Sequence, residues 1–429
     1  MHQTRAQAAR VGTGPPPLPA EATDAATMIY ANVAILGLAL LFYSAIAGRI
    51  ERSWASTPIV FVALGLALGP SGFDLARFPI SQEHLKAMAE LTLAMVLFAD
   101  AAQANLTVIR RNWQLPGRLL LLGLPLTIIL GGVAAWALFP ALAMLEIAIL
   151  ATMLAPTDAA LGAPVVSNTR VPAPIRESLS FESGLNDGIC VPILVILLGY
   201  ATRLQVSHGE VAHVTLVVAE EIGIGALVGL TVTLAGMRAM MLSHRLGWIG
   251  EAWRDIPVLA AALSCFALAQ ALGGSGFIAC FVGGLLLSTR REQALPLLHG
   301  AETMGRLMSI LTWVAFGWGV IPYLLRHLDA TAVLYGVLSL TVIRMLPVYL
   351  CLAGTETRPV DRLFIGWFGP RGLASVVFAI IVLEAHLPGN DRLMTVAGVT
   401  VTLSVLLHGI SATPLAGRLA AGDASPRQA

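Results

Sequence analysis

The chain has 429 residues, of which 57% are hydrophobic and 12% charged, about half the charged share of a soluble domain. Its 26 basic and 25 acidic residues leave a formal charge of +1, so no overall basic field for nucleic acid and no acidic balance for a basic partner is present. An ordinary soluble protein is excluded, and an all-α polytopic membrane protein is expected.

Residues 1–27 are polar, with prolines from Pro15 to Pro17, and lack the short apolar stretch before a cleavage site that a secretory signal needs. A disordered N-terminal tail is expected there. A spanning helix takes about 20 mostly apolar residues. Along 28–417 that rule gives about thirteen stretches, at 28–47, 54–70, 85–104, 117–139, 141–166, 174–201, 211–237, 255–272, 274–289, 302–325, 329–353, 360–384 and 393–417. The eighth and ninth are joined only by Gly273-Gly274 and could merge. Residues 418–429 are expected as a short cytoplasmic tail, with no long regulatory domain and with regulation coming from pH at the site itself. Loops after odd-numbered spans collect Arg49, Arg52, Arg110, Arg111, Arg290, Arg291, Arg358 and Arg362. The opposite loops hold Arg77, Lys86, Arg203, Arg326 and Arg392, and the N-terminal tail adds Arg5 and Arg10. Because cytoplasmic loops are rich in positive charge, the N-terminus is expected outside and the C-terminus in the cytoplasm. Cys190, Cys265, Cys280 and Cys351 lie in apolar runs with no paired spacing, so inert core thiols are expected.

Two spans are interrupted in mid-run, the fifth by Ala155-Pro156-Thr157-Asp158 and the twelfth by Gly369-Pro370-Arg371-Gly372. A proline inside a helix removes a hydrogen bond and clashes with the preceding turn. The backbone groups so freed are tolerated at membrane depth only within protein or beside water. Interrupted helices at corresponding positions of two halves are a mark of transporters built from inverted repeats, and two inverted six-helix repeats with one further span fit the count.

An ionisable side chain inside a membrane is expensive and a functional hypothesis by default. Five lie deep: Asp158, Glu182, Asp187, Arg344 and Arg371. On the sixth span Ser183 and Asp187 stand one helical turn apart, with Glu182 and Asn186 as the neighbouring pair. Asp158 on the broken fifth span can approach Asp187. Two carboxylates, a hydroxyl and freed carbonyl oxygens make a hard-oxygen site for a small alkali cation. Neighbouring carboxylates in a low dielectric cannot both stay ionised cheaply, so one holds a proton unless a cation replaces it. Asp187 is assigned as the principal proton carrier and Asp158 as its partner. Glu182 is paired with Arg344 as a brace. Arg371 either offsets a helix end or meets the carboxylates. Glu90, Glu220, Glu221 and His408 are read first as structural, and the Gly65/Gly69 and Gly225/Gly229 pairs as packing devices.

With these residues in place, "APTDAALG", "ESGLNDG", "GSGFIACFVGGLL", Arg344, "GPRGLAS" and "LLHGISATPLA" together resemble the sodium/proton exchanger branch of the monovalent cation:proton antiporters. The resemblance implies a homodimer of thirteen-span protomers, each with a core domain moving against a dimerisation domain. It implies a cation held by Asp158, Ser183, Asp187 and the Thr157 carbonyl, with Glu182 and Arg344 as an ion pair. Asn186 before Asp187 resembles the electroneutral type, which implies one Na+ per H+. The chain departs from the pattern where Ala159 follows Asp158, a position that is usually proline in the family.

The expected function is therefore a secondary antiporter of the cell inner membrane. It exchanges Na+, or Li+, for H+ by alternating access, serves pH homeostasis, and uses no cofactor and no covalent chemistry. The alternatives are a K+/H+ antiporter of the same fold, a cation channel, and an intramembrane aspartyl hydrolase built on Asp158 and Asp187.

Overall fold

Inside a bilayer every backbone amide must be satisfied within its own segment, and each apolar stretch of this chain does so as a helix. The computed structural model describes residues 20–50, 53, 55–75, 82–104, 114–158, 161–166, 168–169, 171–206, 211–290 and 297–423, with no strand among them.

In chain order the helices are α1 (Ala20–Ile50), α2 (Thr57–Leu68), α3 (Gln82–Gln103), α4 (Gln114–Leu138), α5a (Met144–Met153), α5b (Ala163–Val166), α6 (Ala173–Val206) and α7 (Val211–Arg245). They continue as α8 (Ile256–Ala271), α9 (Gly276–Ser288), α10 (His299–His327), α11 (Ala330–Cys351), α12a (Pro359–Trp367), α12b (Leu373–Glu384) and α13 (Asn390–Asp423). Among the described residues eight helices are long and apolar enough to cross a membrane, and α2, α5a, α9 and α12b are shorter apolar helices. The chain is thus a multi-pass membrane protein. Each of the stretches expected from the sequence falls on one helix or on two helical segments. α1 begins at Ala20, inside the stretch expected as tail; residues 1–19 and 424–429 lie outside the described residues.

Local chemistry sets the boundaries. Proline occupies the first turn of α2, α8 and α12a, where its missing N–H costs nothing. Ser275 caps α9 by accepting the Ile278 N–H, and Asp329 caps α11 by accepting the Ala332 N–H at 2.7 Å. Gly273, at φ +78°, ends α8 in the left-handed conformation that glycine adopts without strain, so α8 and α9 stay separate. One break has no proline or glycine behind it: Thr341, at φ −110° and ψ −93°, divides α11 three residues before Arg344.

The helices pack as two groups. α2, α3, α7, α8, α9 and α10 form one, and α4, α5, α6, α11, α12 and α13 the other. They meet where α6 touches α3, α7 and α9, where α12b touches α3 and α10, and where α13 touches α2 and α10. Small residues let backbones close up within the first group, as the glycine pairs lead one to expect. A Cβ on Gly65 would lie 2.1 Å from the Val314 carbonyl oxygen, and one on Gly229 would lie 2.3 Å from that of Ala279. α1 stands apart, leaning on α2 through Tyr43, whose hydroxyl is 2.6 Å from that of Thr57. All four cysteines are buried and free.

Candidate functional site

Two helices are broken where proline removes a donor and glycine removes bulk. α5a ends at Met153 and the chain runs non-helically through Asp158; Ala159 and Ala160 lie outside the described residues. α12a ends at Trp367 and α12b starts at Leu373.

The two breaks are tied across each other. The Asp158 N–H donates to the Pro370 carbonyl at 2.8 Å. Its carboxylate accepts the Leu373 N–H at 2.9 Å on Oδ2 and the Leu161 N–H at 3.4 Å on Oδ1. Leu373 is the first residue of α12b, so a negative group sits at that half-helix's positive end. In return, Arg371 Nη1 donates to the carbonyls of Ala155 at 2.6 Å and Pro156 at 3.2 Å, just past the end of α5a. Of the two partners open to Arg371, the guanidinium meets the helix end.

Both glycines of the second break are there for close approach. A Cβ on Gly372 would lie 2.0 Å from Asp158 Oδ2, and one on Gly369 would lie 2.3 Å from Arg344 Nε. α13 completes the frame: Ser404 Oγ accepts the Arg371 N–H at 2.7 Å. His408 Nε2 lies 2.8 Å from the Trp367 carbonyl and Nδ1 lies 3.0 Å from that of Ser404. His408 therefore fills the open carbonyl end of α12a.

α6 supplies the other half of the site. The Ser183 hydroxyl donates to the Thr157 carbonyl at 2.7 Å, and Asn186 Nδ2 donates to the Thr157 hydroxyl at 2.7 Å. This fixes the non-helical segment that carries Asp158 against the helix that carries Asp187. Thr157, Ser183, Asn186 and Asp187 are buried, whereas Asp158 is half-buried. Asp187 Oδ1 and Asn186 Oδ1 have no hydrogen-bond partner among the described residues, which leaves two buried acceptors in want of a cation or proton. One turn earlier, Glu182 and Arg344 form a bidentate pair at 2.5 and 2.7 Å, each 1% exposed.

One acidic residue escaped the sequence reading. Asp100, near the end of α3, backs onto α6 so closely that a Cβ on Gly184 would lie 3.8 Å from its Cβ. Its carboxylate interacts electrostatically with Asp158, Asp187 and Glu302. The signal available was its place inside the third apolar stretch, in "LFAD"; its nearness to the end of that stretch hid its depth. The other acidic residues weighed from the sequence lie elsewhere: Glu221 pairs with Arg203 at 3.3 Å, and Glu90 lies 3.9 Å from Lys86.

Three comparisons bear on this arrangement. The family model described as "Sodium/hydrogen exchanger, transmembrane" matches residues 36–418. The chain is similar to the K(+)/H(+) antiporter NhaP of Alkalimonas amylolytica, 28% identical over 392 residues that cover 90% of this chain and 66% of that protein. It is also similar to the K(+)/H(+) antiporter NhaP2 of Shewanella sp. (strain ANA-3), 26% identical over 380 residues, 86% of this chain and 63% of that protein. The chain thus spans just under two thirds of the length of these curated relatives. Its fold is that of the sodium proton antiporter MjNhaP1 from Methanocaldococcus jannaschii, solved at pH 8, with a TM-score of 0.71 at 20% identity, covering 92% of this chain and 99% of that one. With the family model spanning nearly all of the apolar chain, and with that fold, the protein belongs to the transmembrane sodium/hydrogen exchanger family of monovalent cation:proton antiporters.

Proposed function

We propose that the chain is a secondary antiporter that exchanges a monovalent cation for a proton, with both ions competing for one site on Asp158 and Asp187. The observation that carries this reading is the buried, unpartnered Oδ1 of Asp187 beside a second carboxylate at the crossing of two broken helices. Asp158 is already held by backbone amides, so its charge is stabilised. Asp187 lacks that support and is the group that exchanges its proton for the cation. The Ser183 hydroxyl and the Thr157 carbonyl are further oxygen ligands, a set suited to a hard alkali cation.

The cycle follows from charge. With Asp187 deprotonated, the site takes the cation; protonated, it crosses without one; and the ionised, empty site is the form least able to move through a low dielectric. Asn186 is neutral and engaged with Thr157, which supports one cation per proton and electroneutral exchange. Na+, with Li+ as a second substrate, is the cation proposed first. K+ is the second reading, favoured by the curated relatives named as K(+)/H(+) antiporters.

The placement of Arg110, Arg111, Arg290 and Arg291 supports an inner-membrane protein with thirteen spans, N-terminus outside and C-terminus cytoplasmic. The apolar exposed face of α1, with Tyr30, Leu41 and Phe42 each more than half exposed, supports contact with lipid or with a second copy, and the homodimer is proposed from the family resemblance.

The test uses sealed vesicles with an internal pH dye, to which Na+, Li+ or K+ is added with and without a clamped membrane potential. A Na+-driven pH change indifferent to voltage is expected. A response to K+ alone would move the substrate to the second reading, and cation flux without any proton movement would refute antiport.

A further inference from the structure

α12b is tied at both ends. Its first amide rests on Asp158, and its last residue, Glu384, is ion-paired with Lys86 in the opening turns of α3. Lys86 also lies 3.9 Å from Glu90, one turn along α3. α3 rises about 21 Å from Lys86 to Asp100, so the ionic cluster and the carboxylate site occupy opposite ends of the contact between α3 and α12b. The two helices belong to different packing groups, α3 with α9 and α10, and α12b with α13. The Glu384–Lys86 pair therefore bridges the two groups, so a displacement of one against the other acts on it.

We infer that Lys86 and Glu384, with Glu90 as second acceptor, are positioning residues for transport: an ionic clasp that closes the Lys86 end of the α3–α12b contact while the site is reached from the Asp100 end. This rests on the antiporter reading above. Side-chain exposures of 38% for Lys86, 30% for Glu384 and 16% for Glu90 make the clasp wet and therefore weak. A weak tie is poor scaffold but fits an equilibrium crossed in every cycle. Glu90 keeps a partner on Lys86 once Glu384 has left, so opening strands no cation. Glu384 ends α12b, where a carboxylate faces the negative end of its own helix; Lys86 offsets that.

The experiment compares the full chain with Lys86→Gln, Glu384→Gln and the charge-reversed double Lys86→Glu/Glu384→Lys. In oriented vesicles, each single variant should shift the apparent cation KM in opposite directions on the two sides, by about two- to fivefold, at a nearly constant maximal rate. In lipid nanodiscs, amide hydrogen exchange should quicken in residues 82–90 and in the last turn of α12b. The double variant should return both readings toward wild type. Unchanged exchange and unchanged sidedness in the single variants, or a double variant worse than either single, would overturn the clasp. Hydrogen exchange needs no transported ion. Quickened exchange in a chain that moves no cation would therefore sink the antiporter reading, and the clasp's part in transport with it, while showing that the ionic tie itself holds the two helices together.

Discussion

Asp187 and Asp158 are both acidic, yet their surroundings give them different work. Asp158 is engaged by two amides and Asp187 Oδ1 by none, so Asp187→Asn should abolish exchange in the vesicle assay while the protein still folds. Exchange at more than about a tenth of the wild-type rate, a loss of under about 1.4 kcal/mol, would contradict its role. Asp100→Asn should act more gently. It removes a negative charge that helps to draw the cation in, so the cation KM should rise by about tenfold with the maximal rate little altered. Glu182→Gln tests scaffold rather than transport. It strands the Arg344 guanidinium, 1% exposed, and breaking such a buried pair costs about 3–5 kcal/mol, which a lowered melting temperature of the detergent-solubilised protein should register. Most of this residue-level picture was legible in the sequence, because a carboxylate or guanidinium inside an apolar run has few explanations. Asp100 was not, since depth near the end of a helix depends on which neighbour covers it, and only the contact with Gly184 on α6 shows that.

Helix breaks are the unit that turns these residues into a site. "APTD" and "GPRG" announce their breaks through proline and glycine, and the structure explains the spacing: Gly369 admits Arg344 and Gly372 admits Asp158. Gly372→Ala should therefore be as damaging as loss of the carboxylate it displaces. A variant that folds but exchanges at under about one tenth of the wild-type rate is expected, since mispositioning by about 1 Å can cost a hundredfold. Wild-type exchange would mean that Asp158 does not need its seat on the Leu373 amide. The break in α11 was not legible. Thr341 has no local motif for it; the turn lies three residues before Arg344, which is paired with Glu182. Ala159 follows Asp158 where the resemblance leads one to expect proline, yet the fifth helix is still broken, because Pro156 and the ties from Ser183, Asn186 and Pro370 hold the non-helical segment open.

At the scale of the whole molecule, two packing groups share a boundary along α6, α12b and α13, and the carboxylate site lies where α6 meets α3 on that boundary. The length of the apolar runs was enough to place the helices, because a bilayer admits few other solutions. The grouping was not visible in them, because helices that face lipid and helices that face protein are equally apolar. If one site is shared by both ions, the apparent cation KM should rise by about tenfold for each pH unit below the site's midpoint, by simple mass action. The sign follows from the chemistry: protons occupy the carboxylate that the cation needs, so acid weakens cation uptake and alkali strengthens it. A KM independent of pH would separate the two ions onto different sites.

The most direct test of that competition needs no vesicle. Purified protein in weakly buffered detergent solution, titrated with Na+ and separately with K+, should release protons as the cation binds, about one for each cation by the 1:1 reading. Asp187→Asn should release none. Cation binding without proton release in the wild-type protein, or undiminished release from Asp187→Asn, would contradict the account.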